Sequence, residues 1–173
     1  MSSRLVSLSV ALALTAASLC ACQARSQTSG SSPPPASPAE SAAFLAKMAK
    51  TSGVQSLPDG LEYKVSRSGP ATGASPKLGD EVKVNYQGTL IDGTVFDSSY
   101  DRGEPAVFTV GEVIPGWNEA LQMMKPGDVW YLYIPANLAY GDEGAGPIPA
   151  GSVLVFKIEL LGVLPHAGGE GQG

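Results

Sequence analysis

Between Glu81 and Leu90 apolar and polar side chains alternate without a break. Val82, Val84 and Tyr86 fall on one face, and Lys83, Asn85 and Gln87 on the other. That two-residue period predicts a β-strand with one buried face. Asp92-Gly93 within Ile91–Thr94 predicts a hairpin turn, after which Val95–Ser98 returns. Further strands are predicted at Leu61–Ser66, Ala106–Val110, Asp128–Ile134 and Ser152–Leu161. Trp130, Leu132 and Ile134 share a face in one of them, and Leu154, Phe156, Ile158 and Leu160 in another. One segment changes period. In Gly116–Met124, Trp117, Ala120, Leu121 and Met124 recur at i, i+3, i+4 and i+7, which predicts an amphipathic helix ended by Pro126-Gly127. The expected fold is α+β: a mostly antiparallel sheet wrapped around one amphipathic helix.

Composition limits where that fold lies. The chain has 173 residues, which favours one folded domain. Residues 24–40 and 165–173 hold almost no large apolar side chain, too little burial to offset the entropy of ordering. The expected organisation is an export signal over 1–21, a Ser/Pro-rich tether over 22–38, a short helix and linker over 39–56, a folded domain over 57–164 and a disordered tail over 165–173. The leader has one charge, Arg4, before the apolar run Leu5–Leu19. That run is short for a membrane span and suits a signal peptide. In Ala39–Lys50, Phe44, Leu45 and Met48 fall on one side of a short predicted helix, expected to pack on the domain's flank or to fray in solvent, with dimer formation as the alternative.

Charge and cysteines exclude several chemistries. The net charge of −5 argues against nonspecific nucleic-acid binding, which needs Lys/Arg to neutralise phosphates. Both cysteines, Cys20 and Cys22, lie in the leader region, and the single histidine, His166, lies in the tail. The folded segment therefore offers no disulfide, no thiolate metal site and no Ser-His or Cys-His pair. No metal and no cofactor is expected. What remains is an aromatic surface with one acid: Tyr86 on its strand, then adjacent Phe96 and Asp97 after the hairpin. Such a cleft suits a small apolar substrate with a polar amide. It suits hydrolysis poorly, because no nucleophile or second acid stands beside Asp97.

Five segments occur in the order and spacing of the FKBP-type prolyl isomerase family: Val84–Gly88, Phe96–Ser99, Val113–Trp117, Ala139–Gly141 and Leu154–Phe156. The lead-in Gly53–Val65 resembles bacterial envelope members of the macrophage infectivity potentiator group, without their long dimerising helical arm. The resemblance covers about Leu57 to Val163. It implies a half-open sheet around a helix with a cleft between them, and peptidyl-prolyl cis-trans isomerase activity on exported polypeptides. Asp97, Tyr140 and Tyr86 would be its catalytic residues. Phe96, Val113, Ile114, Trp117, Ile148 and Phe156 would bind substrate, with Trp117 as floor and Ile148 in a flap over the cleft. Tyr140 and the Ile114 N–H would hydrogen-bond substrate carbonyls, and Arg102 would tether Asp97. Ala106 stands where the family often carries an aromatic beside the pocket. Macrolides are implied as inhibitors.

Leu19-Cys20-Ala21-Cys22 resembles the bacterial lipobox, which implies lipidation at Cys22 and a membrane anchor in the cell envelope, facing the periplasm or the exterior; a monomer is expected. A reading from another class stands beside the enzyme: a non-catalytic module or chaperone that holds apolar peptides in the same cleft.

Overall fold

A computed structural model describes residues 36–166. The expected signal peptide, Cys22, the tether before residue 36 and the tail from 167 lie outside the described residues. Helix α1 spans Pro38–Met48 and opens on a capping box. The Ser37 hydroxyl accepts from the Glu40 N–H at 3.2 Å, and the Glu40 carboxylate accepts from the Ser37 N–H at 2.8 Å. Phe44 of α1 meets Tyr133 edge-on at 6.1 Å, which attaches the helix to the flank of the sheet.

The strands are β1 (Val54–Ser56), β2 (Glu62–Arg67), β3 (Glu81–Thr89), β4 (Val95–Ser98), β5 (Ala106–Thr109), β6 (Val129–Ile134) and β7 (Leu154–Leu164). They form one antiparallel sheet in the order β1-β2-β6-β7-β3. The far edge of β3 is shared. β5 pairs along Glu81–Val84 and β4 along Gln87–Thr89. β4 and β5 thus act as one long strand interrupted by Ser99–Pro105, which contains the one-turn helix α2 (Ser99–Arg102). At that interruption the Ser99 hydroxyl replaces the missing strand. It accepts from the Tyr86 N–H at 2.8 Å and donates to the Tyr86 C=O at 3.3 Å. Ser99 is fully buried, so these bonds remove an unmet pair of backbone groups.

Helix α3 (Pro115–Met123) lies against the inner face. Pro115 occupies the first helical position, where its missing N–H costs nothing. Trp117, Ala120 and Leu121 are buried with Val82 and Val84 of β3, Leu132 and Ile134 of β6 and Ile158 and Leu160 of β7. Gly116 allows this close approach, since a Cβ there would lie 2.6 Å from Ile134.

The long strands and α3 stand where the period of the sequence predicts them. Two boundaries differ. The sheet begins at Val54, before the expected start at Leu57, because three residues with one apolar side chain show no alternation to read. β7 runs to Leu164, and the His166 N–H donates to the Asp80 carboxylate at 2.9 Å, so the first tail residues are tied to the domain. None of the helices among the described residues is long and apolar enough to cross a membrane.

Candidate functional site

The cleft opens where β3, β4, β5 and β7 face the start of α3, and its volume is about 340 Å³. A larger hollow of about 410 Å³ lies between Glu40 of α1 and the Leu90–Asp92 turn. It has no aromatic lining, so its size alone carries no chemistry.

Trp117 projects from the first turn of α3 into the cleft. Three rings stand nearly perpendicular to it: Tyr86 at 5.2 Å and 86°, Phe108 at 5.4 Å and 84°, and Phe156 at 5.1 Å and 82°. Such near-perpendicular packing is a favoured aromatic geometry, in which a positive ring edge meets a negative ring face. Phe96 extends the wall, at 5.5 Å and 86° from Phe156. Gly88 makes that wall fit. A Cβ at this position would lie 2.6 Å from the Phe96 ring and 2.7 Å from the Phe156 ring.

Asp97 faces Tyr86 across the β3–β4 pairing. One carboxylate oxygen accepts from the Tyr86 hydroxyl and the other from the Arg102 guanidinium. Arg102 also donates to the Tyr86 hydroxyl oxygen at 2.9 Å and lies 5.4 Å from the centre of its ring. Burial pushes the Asp97 carboxyl up, but the bonds from Tyr86 and Arg102 outweigh it and hold its pKa below the ordinary carboxylate value. The Tyr86 phenol is pushed up, first by burial and then by its bond to Asp97. At neutral pH the acid is therefore ionised and the phenol protonated. A carboxylate with both oxygens engaged is a poor general base.

Val113 and Ile114 form the lip before α3. The hydrogen bonds of the described residues assign no acceptor to the Ile114 N–H and no partner to the hydroxyl of the exposed Tyr140. The cleft thus combines a dry aromatic floor with two unengaged donors.

Eight expected site residues line the cavity: Tyr86, Phe96, Asp97, Val113, Ile114, Trp117, Tyr140 and Phe156. Ile148 does not. It is buried in the same core cluster as Tyr86, Trp117 and Phe156, and its backbone pairs with Ala145 in a tight turn. Two lining residues escaped the sequence reading, Phe108 and Glu112. Phe108 had a signal: it shares the inward face of its strand with Ala106 and Val110. It supplies the aromatic that Ala106 lacks.

The chain was compared with known proteins. A family model described as FKBP-type peptidyl-prolyl cis-trans isomerase matches residues 73–161. A model for the domain amino terminal to that isomerase matches residues 12–65. The chain is 54% identical over 128 residues to the FKBP-type peptidyl-prolyl cis-trans isomerase FkpA of Aeromonas hydrophila, covering 73% of this chain and 47% of that protein. It is 51% identical over 122 residues to the outer membrane protein MIP of Legionella longbeachae, covering 70% of this chain and 52% of the relative. The crystal structure of FkpA from Escherichia coli superposes with a TM-score of 0.71 at 49% identity, over 73% of this chain and 59% of that one. The chain spans about half the length of these curated relatives.

Proposed function

The chain belongs to the FKBP-type peptidyl-prolyl cis-trans isomerase family, and from that premise we propose that it accelerates rotation about X-Pro bonds in exported polypeptides. The observation that carries this reading is the enclosure of Trp117 by Tyr86, Phe108 and Phe156, next to an Asp97 whose two oxygens are both engaged.

Peptide resonance sets a rotational barrier of about 18–20 kcal/mol. An X-Pro bond therefore isomerises over tens to hundreds of seconds. The twisted transition state has lost that resonance. Its charge separation is smaller, so water holds it less strongly than it holds the planar amide. A dry aromatic cleft then stabilises the transition state more than the ground state. In this reading Trp117 lies beneath the proline ring, while Tyr86, Phe96 and Phe156 form the walls. The Ile114 N–H and the Tyr140 hydroxyl donate to substrate carbonyls. Asp97 stays ionised and orients the polar end of the cleft. No bond is made or broken and no proton moves.

The test is the cis-to-trans relaxation of a short X-Pro peptide with the purified chain. We expect acceleration over the uncatalysed rate. Folded protein that binds the peptide without accelerating it would replace the enzyme by a holding module.

An envelope location belongs to the same proposal. It is supported by the export-signal pattern of 1–21 and by the printed name of the Legionella relative. We propose further that Cys22 is acylated and anchors a monomer to the membrane, facing the periplasm or the exterior. Each buried methylene of such an anchor contributes about 0.8 kcal/mol. Mass spectrometry of the mature N-terminus reads this directly, and an unmodified N-terminus beyond Cys22 would exclude the anchor. Macrolides are proposed as competitors for the Trp117 floor, to be measured as inhibition of the peptide relaxation.

A further inference from the structure

The cleft holds two carboxylates of opposite status. Asp97 is neutralised by Arg102 and the Tyr86 hydroxyl. Glu112 lines the same cavity and is exposed, and among the described residues its carboxylate has no ion-pair partner. No lysine or arginine is among the lining residues. Lys83 and Lys157 alternate with the buried residues of β3 and β7, so they leave the sheet on the face away from the cleft. Arg67 is engaged by Glu159. Among the residues that line the cleft, Glu112 therefore carries the one uncompensated negative charge.

That charge is also held in place. The Glu112 N–H donates to the Thr109 carbonyl at 3.1 Å. On either side, the Asn118 side chain accepts from the Gly111 N–H at 2.7 Å and donates to the Val113 carbonyl at 2.7 Å. Helix α3 thus clamps both neighbours of Glu112 through one amide, and the carboxylate is presented from a fixed backbone.

We propose that Glu112 selects substrates by charge, favouring prolines flanked by lysine or arginine and disfavouring those flanked by aspartate or glutamate. The inference rests on the isomerase reading above. One exposed ion pair is worth up to about five-fold in binding. Attraction of the basic flank and repulsion of the acidic one together give a preference of about ten-fold at low salt. At 1 M salt the screening length is about 3 Å, and the preference falls toward one.

The test uses three peptides that differ only in the two residues flanking proline: lysine, glutamine or glutamate. Relaxation is measured with the native chain, Glu112→Gln and Glu112→Lys, at low and high salt. The readout is the lysine-to-glutamate ratio of kcat/KM, with the glutamine peptide calibrating each protein. We expect about ten for the native chain, near one for Glu112→Gln and below one for Glu112→Lys. Equal acceleration of all three peptides by the native chain, or a ratio unchanged in Glu112→Gln, overturns the inference and leaves the isomerase intact. Failure of the folded native chain to accelerate any peptide overturns both.

Discussion

The Tyr86 hydroxyl donates to Asp97 while accepting from Arg102, so one phenol on β3 joins the acid of β4 to the base of α2. In the proposed function the acid is an orienting group, held ionised by its bonds to Tyr86 and Arg102. Asp97→Leu leaves the Tyr86 hydroxyl and Arg102 without their shared acceptor. We expect the isomerisation rate to fall about ten-fold, equivalent to ~1.4 kcal/mol of transition-state stabilisation. Circular dichroism should report a folded protein. Full activity in that variant would remove Asp97 from the site.

Gly88 is required by two rings rather than by its backbone. In Gly88→Ala the new methyl would meet Phe96 and Phe156 at 2.6 and 2.7 Å, so both rings must shift. Overpacking of this kind costs about 1–3 kcal/mol. Urea denaturation should give that loss, and relaxation assays should show a weakened cleft wall. A variant as stable and active as the native chain would contradict the described packing.

Ser99 stands in for a strand. In Ser99→Ala the Tyr86 N–H and C=O lose their partner in a fully buried position. Leaving such groups unsatisfied costs about 1–3 kcal/mol. Ser99→Thr keeps the hydroxyl and should recover part of the loss if the added methyl is accommodated. Hydrogen exchange at the Tyr86 amide reads the same bond, and it should accelerate in the alanine variant.

Glu119 of α3 gives the fold a pH dependence. Its hydrogen bond to Asp59, burial, and the Asp59 charge together raise its pKa from 4.5 to about 7. The native state therefore holds this proton where the unfolded chain has released it. The contribution is fully present below about pH 4.5 and is lost as pH rises through about 7. Glu119→Gln preserves a donor for Asp59 but cannot ionise. Its stability relative to the native chain should increase between pH 5 and pH 8, measured as urea midpoints. A difference that does not vary over this range would exclude the shared proton.

The alternation in β3, β6 and β7 and the helical period of α3 were readable because each is local. A strand or helix with one apolar face identifies its buried side from its own residues. The same patterns put Tyr86, Trp117 and Phe156 on inward faces, and the order of the motifs joined them to Asp97 and Tyr140. The tertiary structure alone decided which inward residues meet. Phe108 reaches Trp117 because β5 pairs with the first half of β3, a register set by the Ser99–Pro105 interruption. Ile148 joins the cluster of Tyr86, Trp117 and Phe156 from a loop that folds back on Ala145, a contact that no local period announces. Asp59 and Glu119 influence each other across a wide sequence separation, which raises the Glu119 pKa and lowers that of Asp59. Local periodicity specifies a face, whereas strand register and loop closure specify the neighbour on that face.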